Sequence, residues 1–331
     1  IAVYKLGAVA LPLLTLFGPD ALAFRLKDSG ARAVVTDAEN LPKLLEIRAD
    51  LPELQLILLT DGMPGDGRLD FWQSLHSAKS EFPIARTHPA DPALIIYTSG
   101  TTGQPKGTLH GHQLLPGILP GFEFLHNLFP RRGDLLYTPL DWAYIGGSYD
   151  ALFPALYHGI PVLGFRPRKF DPERAFAMMA RYRVANLMVV PTVLRIMMNA
   201  VSEPQRRYGI RLRSLTAGGE TLDAELYDWC RRALGVEINE QYGQTECDLV
   251  VGFCAAVMPI QRGSIGKAIP GHTVEVIDAE GRPVAPGELG EIAVKRPDPV
   301  MFLGYWNQPA ATQRKFVGDW MTTGDQGVMD A

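Results

Sequence analysis

The stretch Tyr97-Thr98-Ser99-Gly100-Thr101-Thr102-Gly103-Gln104-Pro105-Lys106-Gly107 gathers hydroxyls, glycines and one lysine into a short loop. That mixture suits a loop wrapped around phosphate. Glycine tolerates φ > 0, so consecutive backbone N–H groups can turn toward one anion. The Ser and Thr hydroxyls add donors, and Lys106 adds a positive charge. The apolar run at 93–96 just upstream reads as a buried strand, so the loop leaves a strand end. A plain polar surface loop is the alternative for any Gly/Ser/Thr cluster. The pattern is not a Walker A loop, which needs glycine before the lysine and Ser or Thr after it. Here Pro105 precedes Lys106 and Gly107 follows. It is not G-x-G-x-x-G either, so the Rossmann dinucleotide fingerprint does not apply.

Three further polar groups follow, two of them at predicted strand exits. Glu240-Gln241-Tyr242-Gly243-Gln244-Thr245-Glu246 follows a predicted strand at 236–239. Ala217-Gly218-Gly219-Glu220-Thr221 follows another at 214–216, and its paired glycines would let a ligand approach the backbone closely. Its bland alternative is a tight turn before a helix that Asp223 caps. Thr323-Gly324-Asp325 offers one carboxylate near the end of the chain. His110-Gly111-His112 has a spacing that could bind metal, but no third ligand stands nearby. Ordinary polar residues at a helix start are the expectation there. The cysteines are Cys230, Cys247 and Cys254, with no C-x-x-C, so reduced thiols are expected rather than a disulfide framework. Cys247 reads as a packing residue, not a nucleophile.

The elements that must position these groups alternate. Helical spacing at 20–29 ends at Gly30 and is followed by a strand at 33–36. A helix at 41–49 precedes a buried strand at 54–59. Such alternation predicts parallel α/β layers. A second α/β stretch runs over 133–252. Asp171-Pro172-Glu173 combines an N-cap, a proline at the first helical position and an acid in the first turn. That helix is predicted to reach Tyr182. A strand at 186–190 is broken by Pro191, and a helix covers 193–201. Met178-Met179 and Met197-Met198 fall at helical core positions. From residue 259 the segments become short and alternating, with turn signals between them, as in a small barrel-like β unit.

The chain has 331 residues, 47% hydrophobic side chains and a formal net charge of −4. That length supports two or three subdomains. The charge provides no basic footprint for nucleic acid or an anionic membrane. No stretch is long enough to span a bilayer, and 6–17 lacks the flanks of a signal peptide. A cytoplasmic protein is the simplest reading. A homo-oligomer is compatible with the sequence. The opening Ile1 and closing Ala331 both look like cut ends of a longer protein.

In this order, the motifs resemble those of the adenylate-forming superfamily: acyl-CoA synthetases, luciferases and peptide-synthetase adenylation domains. Its phosphate signature is roughly Tyr/Phe-Thr-Ser-Gly-Ser/Thr-Thr-Gly-x-Pro-Lys-Gly, which 97–107 matches throughout. The other three groups resemble its Tyr/Trp-Gly-x-Thr-Glu, Gly-Gly-Glu and Thr-Gly-Asp motifs. The resemblance covers essentially the whole chain. It implies an α/β fold: two stacked α/β subdomains plus a small β-barrel-like subdomain, the truncated N-terminal domain of an acyl-CoA synthetase. The boundaries it implies are 1–115 with the phosphate loop, 116–256 with the adenine and acyl site, and 257–331 as the β-rich part. The mobile C-terminal domain of the family is absent from this sequence.

The same resemblance implies the site. Thr98, Ser99, Gly100, Thr101, Thr102, Gly103 and Lys106 would take the phosphates. Gly218, Gly219, Glu220 and Thr221 would line the adenine and acyl site. Glu240, Gln241, Tyr242, Gly243 and Gln244 would flank the nucleotide, with Tyr242 near the adenine. Thr245 would donate to the α-phosphate, Glu246 would help hold Mg²⁺, and Asp325 would accept from the ribose hydroxyls. Lys106, Thr245 and Glu246 would carry the catalysis. Trp142, Gly147, Gly218 and Gly243 would shape the substrate pocket. Acetate-specific relatives carry Trp where Gly243 stands, so open space at Gly243 implies an acyl group longer than acetate, medium-chain or aromatic. The implied reactants are a small carboxylic acid, ATP with Mg²⁺, and CoA. The fragment alone is expected to turn over poorly or not at all. A noncatalytic nucleotide-binding relative, an adenylating enzyme with another acceptor, and an unrelated α/β domain with chance motifs are the alternatives.

Overall fold

The computed structural model of the protein describes residues 1–65, 67–98, 103–165, 167 and 169–330. Within the phosphate loop, Ser99, Gly100, Thr101 and Thr102 therefore lie outside the described residues. The chain divides into two compact units. One comprises Ile1–His112 with Leu303–Pro309; the other comprises Gln113–Phe302 with Ala310–Ala331.

The first unit holds two small sheets. Ala33–Thr36, Leu56–Leu59 and Arg68–Asp70 pair in parallel, in that order. The helix Pro19–Ser29 begins with proline in its first turn and ends where Gly30 turns left-handed at φ 62°. It packs with the helix Leu41–Glu46 over a core of Leu26, Leu44, Ile47, Leu54, Ile57 and Leu59. Each such buried Leu or Ile contributes about 1.5–3 kcal/mol. The second sheet is antiparallel, in the order Gly304–Tyr305, Lys106–Gly111, Pro92–Thr98. Thr98 pairs with Lys106, so the phosphate loop is the connection of a β-hairpin. The lysine opens a strand here, whereas a Walker A lysine opens a helix. His110 and Gly111 belong to this strand, and His110 is buried in the sheet. The expected helix start is therefore corrected: the helix begins only at Leu114.

The second unit is built on a seven-stranded sheet. Its order is Lys267–Ala268, Asp248–Gly252, Ile238–Gln244, Ser214–Gly218, Asn186–Val189, Leu136–Tyr137, Val162–Leu163. The last five run parallel, and the first two close the edge antiparallel. The central parallel strands are buried on both faces, hence the near-continuous apolar run Leu187-Met188-Val189. Helices Pro172–Tyr182, Pro191–Ala200 and Ala224–Trp229 supply Phe176, Met179, Leu194, Met197, Leu226 and Trp229 to the main core. Asp171 caps the first of these by accepting from the Arg174 amide, as its position before Pro172 predicts. Pro191 both ends a strand and starts a helix, because its fixed φ suits the first helical turn.

The β-rich stretch forms a curled antiparallel sheet in the order Val274–Ile277, Leu289–Lys295, Trp320–Val328, Phe316–Val317. A bulge interrupts its centre. Glu291 pairs with Gln326 and Ala293 with Thr322, so Thr323-Gly324-Asp325 stands opposite Ile292 alone. Gly324 takes φ 87°, which only glycine adopts without strain. No helix among the described residues is long and apolar enough to cross a membrane.

Candidate active site

The seven-stranded sheet brings two of the motif groups side by side. Ser214–Gly218 and Ile238–Gln244 are parallel neighbours with Gly218 opposite Gln241. Both motifs therefore emerge at the same edge, the carboxyl end, where open α/β sheets bind ligands. The strands run further than sequence spacing predicts. Gly218 and residues 240–244 are part of the ladder, and only Thr245 and Glu246 occupy the turn beyond it. The next strand, Asn186–Val189, adds Thr192 at the same edge. Its backbone N–H donates to Glu220 Oε2 at 3.0 Å and its hydroxyl to the same oxygen.

Burial falls along Ile238–Gln244 toward the sheet edge and separates roles. Glu240 and Gln241 are buried and engaged internally: Tyr227 Oη donates to Glu240, and Thr216 Oγ1 donates to Gln241 Oε1 at 2.7 Å. Burial is the larger influence on Glu240 and raises its carboxyl, while the Tyr227 bond opposes that rise. Tyr242 and Gln244, two residues apart and so on one face, reach outward. Tyr242 Oη donates to Asp325 Oδ2 at 2.7 Å, and Gln244 Nε2 donates to the same oxygen at 2.9 Å and to the Thr323 carbonyl at 2.9 Å. Burial, then the bond to Asp325, raises the Tyr242 hydroxyl above its usual range, so it stays a donor.

Two motifs some eighty residues apart in sequence thus meet at one carboxylate. Asp325 itself is exposed on its bulge. The bulge is held by Thr323 Oγ1 donating to the Ile292 carbonyl at 2.7 Å and by Lys315 Nζ donating to the carbonyls of Thr322 and Thr323. Sequence reasoning missed Lys315 and Thr192. Thr192 had a detectable signal: a polar residue directly after a strand-ending proline, at the same edge as the motifs.

Three residues assigned to the substrate pocket are glycines pressed against backbone. A Cβ at Gly243 would fall 1.5 Å from the Asp248 carbonyl oxygen, one at Gly218 2.1 Å from the Gln241 oxygen, and one at Gly147 2.2 Å from the Asp141 oxygen. The reading of Gly243 as open space is thereby corrected. Its side-chain direction is filled by the returning strand of its own hairpin, and glycine is needed for that close approach. Trp142 is 43% exposed, and its ring covers Gly164.

In the first unit, the ammonium of Lys106 lies 4.9 Å from the centroid of the Tyr305 ring, a cation–π geometry. Thr98 and Lys106 face each other across the hairpin, and Gly103 is exposed in its connection.

Among the described residues, no group of three or more His, Cys, Asp or Glu could hold a metal ion by itself. A Mg²⁺ arriving on nucleotide phosphates would need only one or two protein carboxylates, because magnesium keeps several waters, and Glu246 would be the single carboxylate to supply one. The turn carrying Glu246 is fixed by its carbonyl, which accepts from the Phe302 amide at 2.7 Å. Cys230, Cys247 and Cys254 are free and buried; burial pushes the Cys247 thiol up to about 12, which leaves it protonated.

The chain is similar to several acyl-CoA synthetases. The human mitochondrial acyl-coenzyme A synthetase ACSM5 is 31% identical over 338 residues, covering 100% of this chain and 57% of the relative. The Bacillus subtilis (strain 168) protein described as uncharacterized acyl–CoA ligase YtcI is 30% identical, covering 100% of this chain and 61% of that protein. The chain thus spans under two thirds of the length of these relatives. A Brucella canis acyl-CoA synthetase crystal structure superposes with TM-score 0.87 at 29% identity, covering 99% of this chain and 59% of that one. The anthranilate CoA ligase AuaEII in complex with anthranoyl-AMP superposes with TM-score 0.88 at 27% identity, covering 99% and 62%. The model of the family described as AMP-binding enzyme matches residues 1–306, and the chain belongs to that family.

Proposed function

We propose that this chain carries the nucleotide- and acid-binding part of an AMP-forming acyl-CoA synthetase. In the first half-reaction, a carboxylate oxygen of the acid attacks the α-phosphorus of ATP. The bond to pyrophosphate breaks and an acyl-adenylate forms. In the second, the thiol of CoA attacks the activated acyl carbon, and AMP leaves with the C–O bonding pair. The first step needs no protein nucleophile; it needs positioning and compensation of phosphate charge.

In this reading Thr98, Gly103 and Lys106, with Ser99, Gly100, Thr101 and Thr102, take the β- and γ-phosphates. Thr245 donates to the α-phosphate, where charge accumulates, and Glu246 is the protein ligand for Mg²⁺. Mg²⁺ on the phosphates would supply further charge neutralisation. Gly218 to Thr221 and Tyr242 to Gln244 border the base, and Asp325 receives the ribose hydroxyls. A carboxylate has about four acceptor positions. Tyr242 and Gln244 occupy two at Oδ2, so the group is oriented and can still accept from two hydroxyls.

The observation that carries this reading is the convergence of Tyr242 and Gln244 on Asp325 in a chain of the AMP-binding family. An acyl group larger than acetate is proposed on the likeness to the anthranilate ligase, not on Gly243. The three free, buried cysteines agree with a reducing compartment such as the cytoplasm. The test is a thioester-forming assay of the complete gene product with a graded series of carboxylic acids. The expected result is acyl-CoA and AMP in equal amounts, with acetate a poor substrate. Nucleotide binding without AMP release for any acid would favour the noncatalytic alternative.

A further inference from the structure

In the first unit, the helix Pro19–Ser29 places an acid where a helix resists one. Asp28 stands in its last turn, where the end carbonyls carry partial negative charge and a cation is the favoured neighbour. Compensation comes from outside the helix. Tyr97 Oη donates to Asp28 Oδ2 at 2.6 Å, from 69 residues along the chain. The Asp28 carbonyl is one of the four that a helix end leaves without an intrahelical donor. Trp306 Nε1 and Asn307 Nδ2 each donate to it at 2.9 Å, with Asn307 in a left-handed turn at φ 54°. One residue at a helix end therefore gathers two distant stretches of chain.

Both stretches adjoin the phosphate loop. Tyr97 and Gly107 form the next rung of the hairpin after Thr98 and Lys106, on the side away from the loop. A Cβ built on Gly107 would lie 3.2 Å from Tyr97 Cζ and 3.3 Å from Trp306 Cβ. The Trp306 amide also donates to the Gly107 carbonyl at 2.7 Å. Gly107 is thus closed in by the two residues whose polar groups end on Asp28. Phe24 meets the Tyr97 ring edge-on, with 6.0 Å between centroids, and the Arg25 guanidinium lies 5.7 Å from the same ring. Burial, then the bond to Asp28, raises the Tyr97 hydroxyl above its usual range, so it stays a donor. Lys106 directly precedes this enclosed glycine, and Tyr305, over whose ring its ammonium lies, directly precedes Trp306.

We infer that Asp28 is a positioning residue for phosphate binding: it holds Tyr97 and Trp306 about Gly107 and so fixes the point from which Lys106 reaches the phosphates. This rests on the reading of 97–107 as the loop that takes the β- and γ-phosphates of ATP. An acid set against the preference of its own helix is a local conflict of the kind that marks functional positions. Positioning is also what the first half-reaction demands, since a displacement of about 1 Å at a group that meets the substrate can cost on the order of a hundredfold in rate.

The test compares binding of magnesium ATP and of AMP by calorimetry in the complete gene product. AMP lacks the β- and γ-phosphates, so a displaced loop should weaken ATP alone. Asp28→Ala should weaken ATP by about tenfold, as for a lost charge-assisted hydrogen bond, and leave AMP nearly unchanged. In acid-dependent ATP–pyrophosphate exchange, the same variant should raise KM for ATP and not KM for the acid. Tyr97→Phe should reproduce the loss, and the double variant should be no worse than either single, because both remove one bond. Tyr97→Phe keeps the packed ring, so it decides the question even where Asp28→Ala unfolds. Asp28→Asn, which keeps an acceptor oxygen, should recover part of the affinity. Equal weakening of ATP and AMP, losses that add in the double variant, or ATP binding unmoved by Tyr97→Phe would each overturn the inference. Lys106→Ala separates the two levels. If it lowers ATP affinity relative to AMP while the Asp28 and Tyr97 variants do not, the inference alone falls; if it leaves that ratio unchanged, the phosphate-loop reading falls with it.

Discussion

The two edges of the seven-stranded sheet use polar residues in opposite ways. At the amino edge of the parallel strands, a network ties polar groups to one another. Arg213 makes two hydrogen bonds to Asp134, at 2.8 and 2.6 Å, and caps the carbonyls of His126 and Asn127. His126 Nδ1 meets Ser214 Oγ at 2.9 Å, Asn186 meets the same hydroxyl at 2.8 Å, and Asn239 Nδ2 donates to the Leu125 carbonyl at 2.6 Å. At the carboxyl edge, Asp325 and Glu220 are exposed and Thr245 stands in a turn. The lesson is a division of labour within one sheet. The closed edge holds the strands in register, and the open edge is the one with acceptor capacity left for a ligand.

The largest expected effect that could break this contrast is at the closed edge. Arg213→Ala leaves the Asp134 carboxylate buried and unpaired. It should cost about 3–5 kcal/mol in denaturant unfolding while sparing exchange activity per folded molecule. Activity lost in proportion beyond stability would mean the closed edge also serves the reaction. Next is Gly243→Ala at the open edge. Its methyl would collide with the Asp248 carbonyl, so the hairpin must shift. About 2 kcal/mol of stability should go with it, as for overpacking. Here nucleotide binding, measured by calorimetry, should weaken more than the stability loss explains.

The smallest effect concerns pH. Burial, reinforced by nearby Arg213, lowers His126 to about 3. Unfolded, the group titrates near its ordinary value of about 6.5. A lowered folded value means the unfolded chain binds the proton first. This contribution is therefore complete above pH 6.5 and declines as pH falls toward 3, by up to about 1.4 kcal/mol per pH unit. His126→Gln should flatten the difference between unfolding midpoints at pH 7 and pH 5. An equal slope in both proteins would remove His126 from the closed network.

Much of the open edge was legible in sequence because its motifs are local. The run at 97–107, the Glu240–Glu246 segment and Thr323-Gly324-Asp325 are contiguous, and strand propensity located the strands beneath them to within a few residues. What sequence could not display was pairing at long range. Arg213 finds Asp134 across a separation of 79 residues, and Gly304–Tyr305 returns to pair with Lys106–Gly111. Nor could it show that Gly243 faces its own hairpin, because a glycine that makes room for a ligand and one that makes room for backbone are the same letter.

The most direct test of the account is acid-dependent ATP–pyrophosphate exchange by the complete gene product, comparing wild type with Asp325→Ala, alongside thermal melting of both. The account predicts robust exchange for the wild type. It predicts about a hundredfold loss for the variant, as expected for two charge-assisted hydrogen bonds to the ribose. The melting temperature should change little, because Asp325 is exposed. Undiminished exchange in Asp325→Ala would contradict the assignment of the open edge as the nucleotide site.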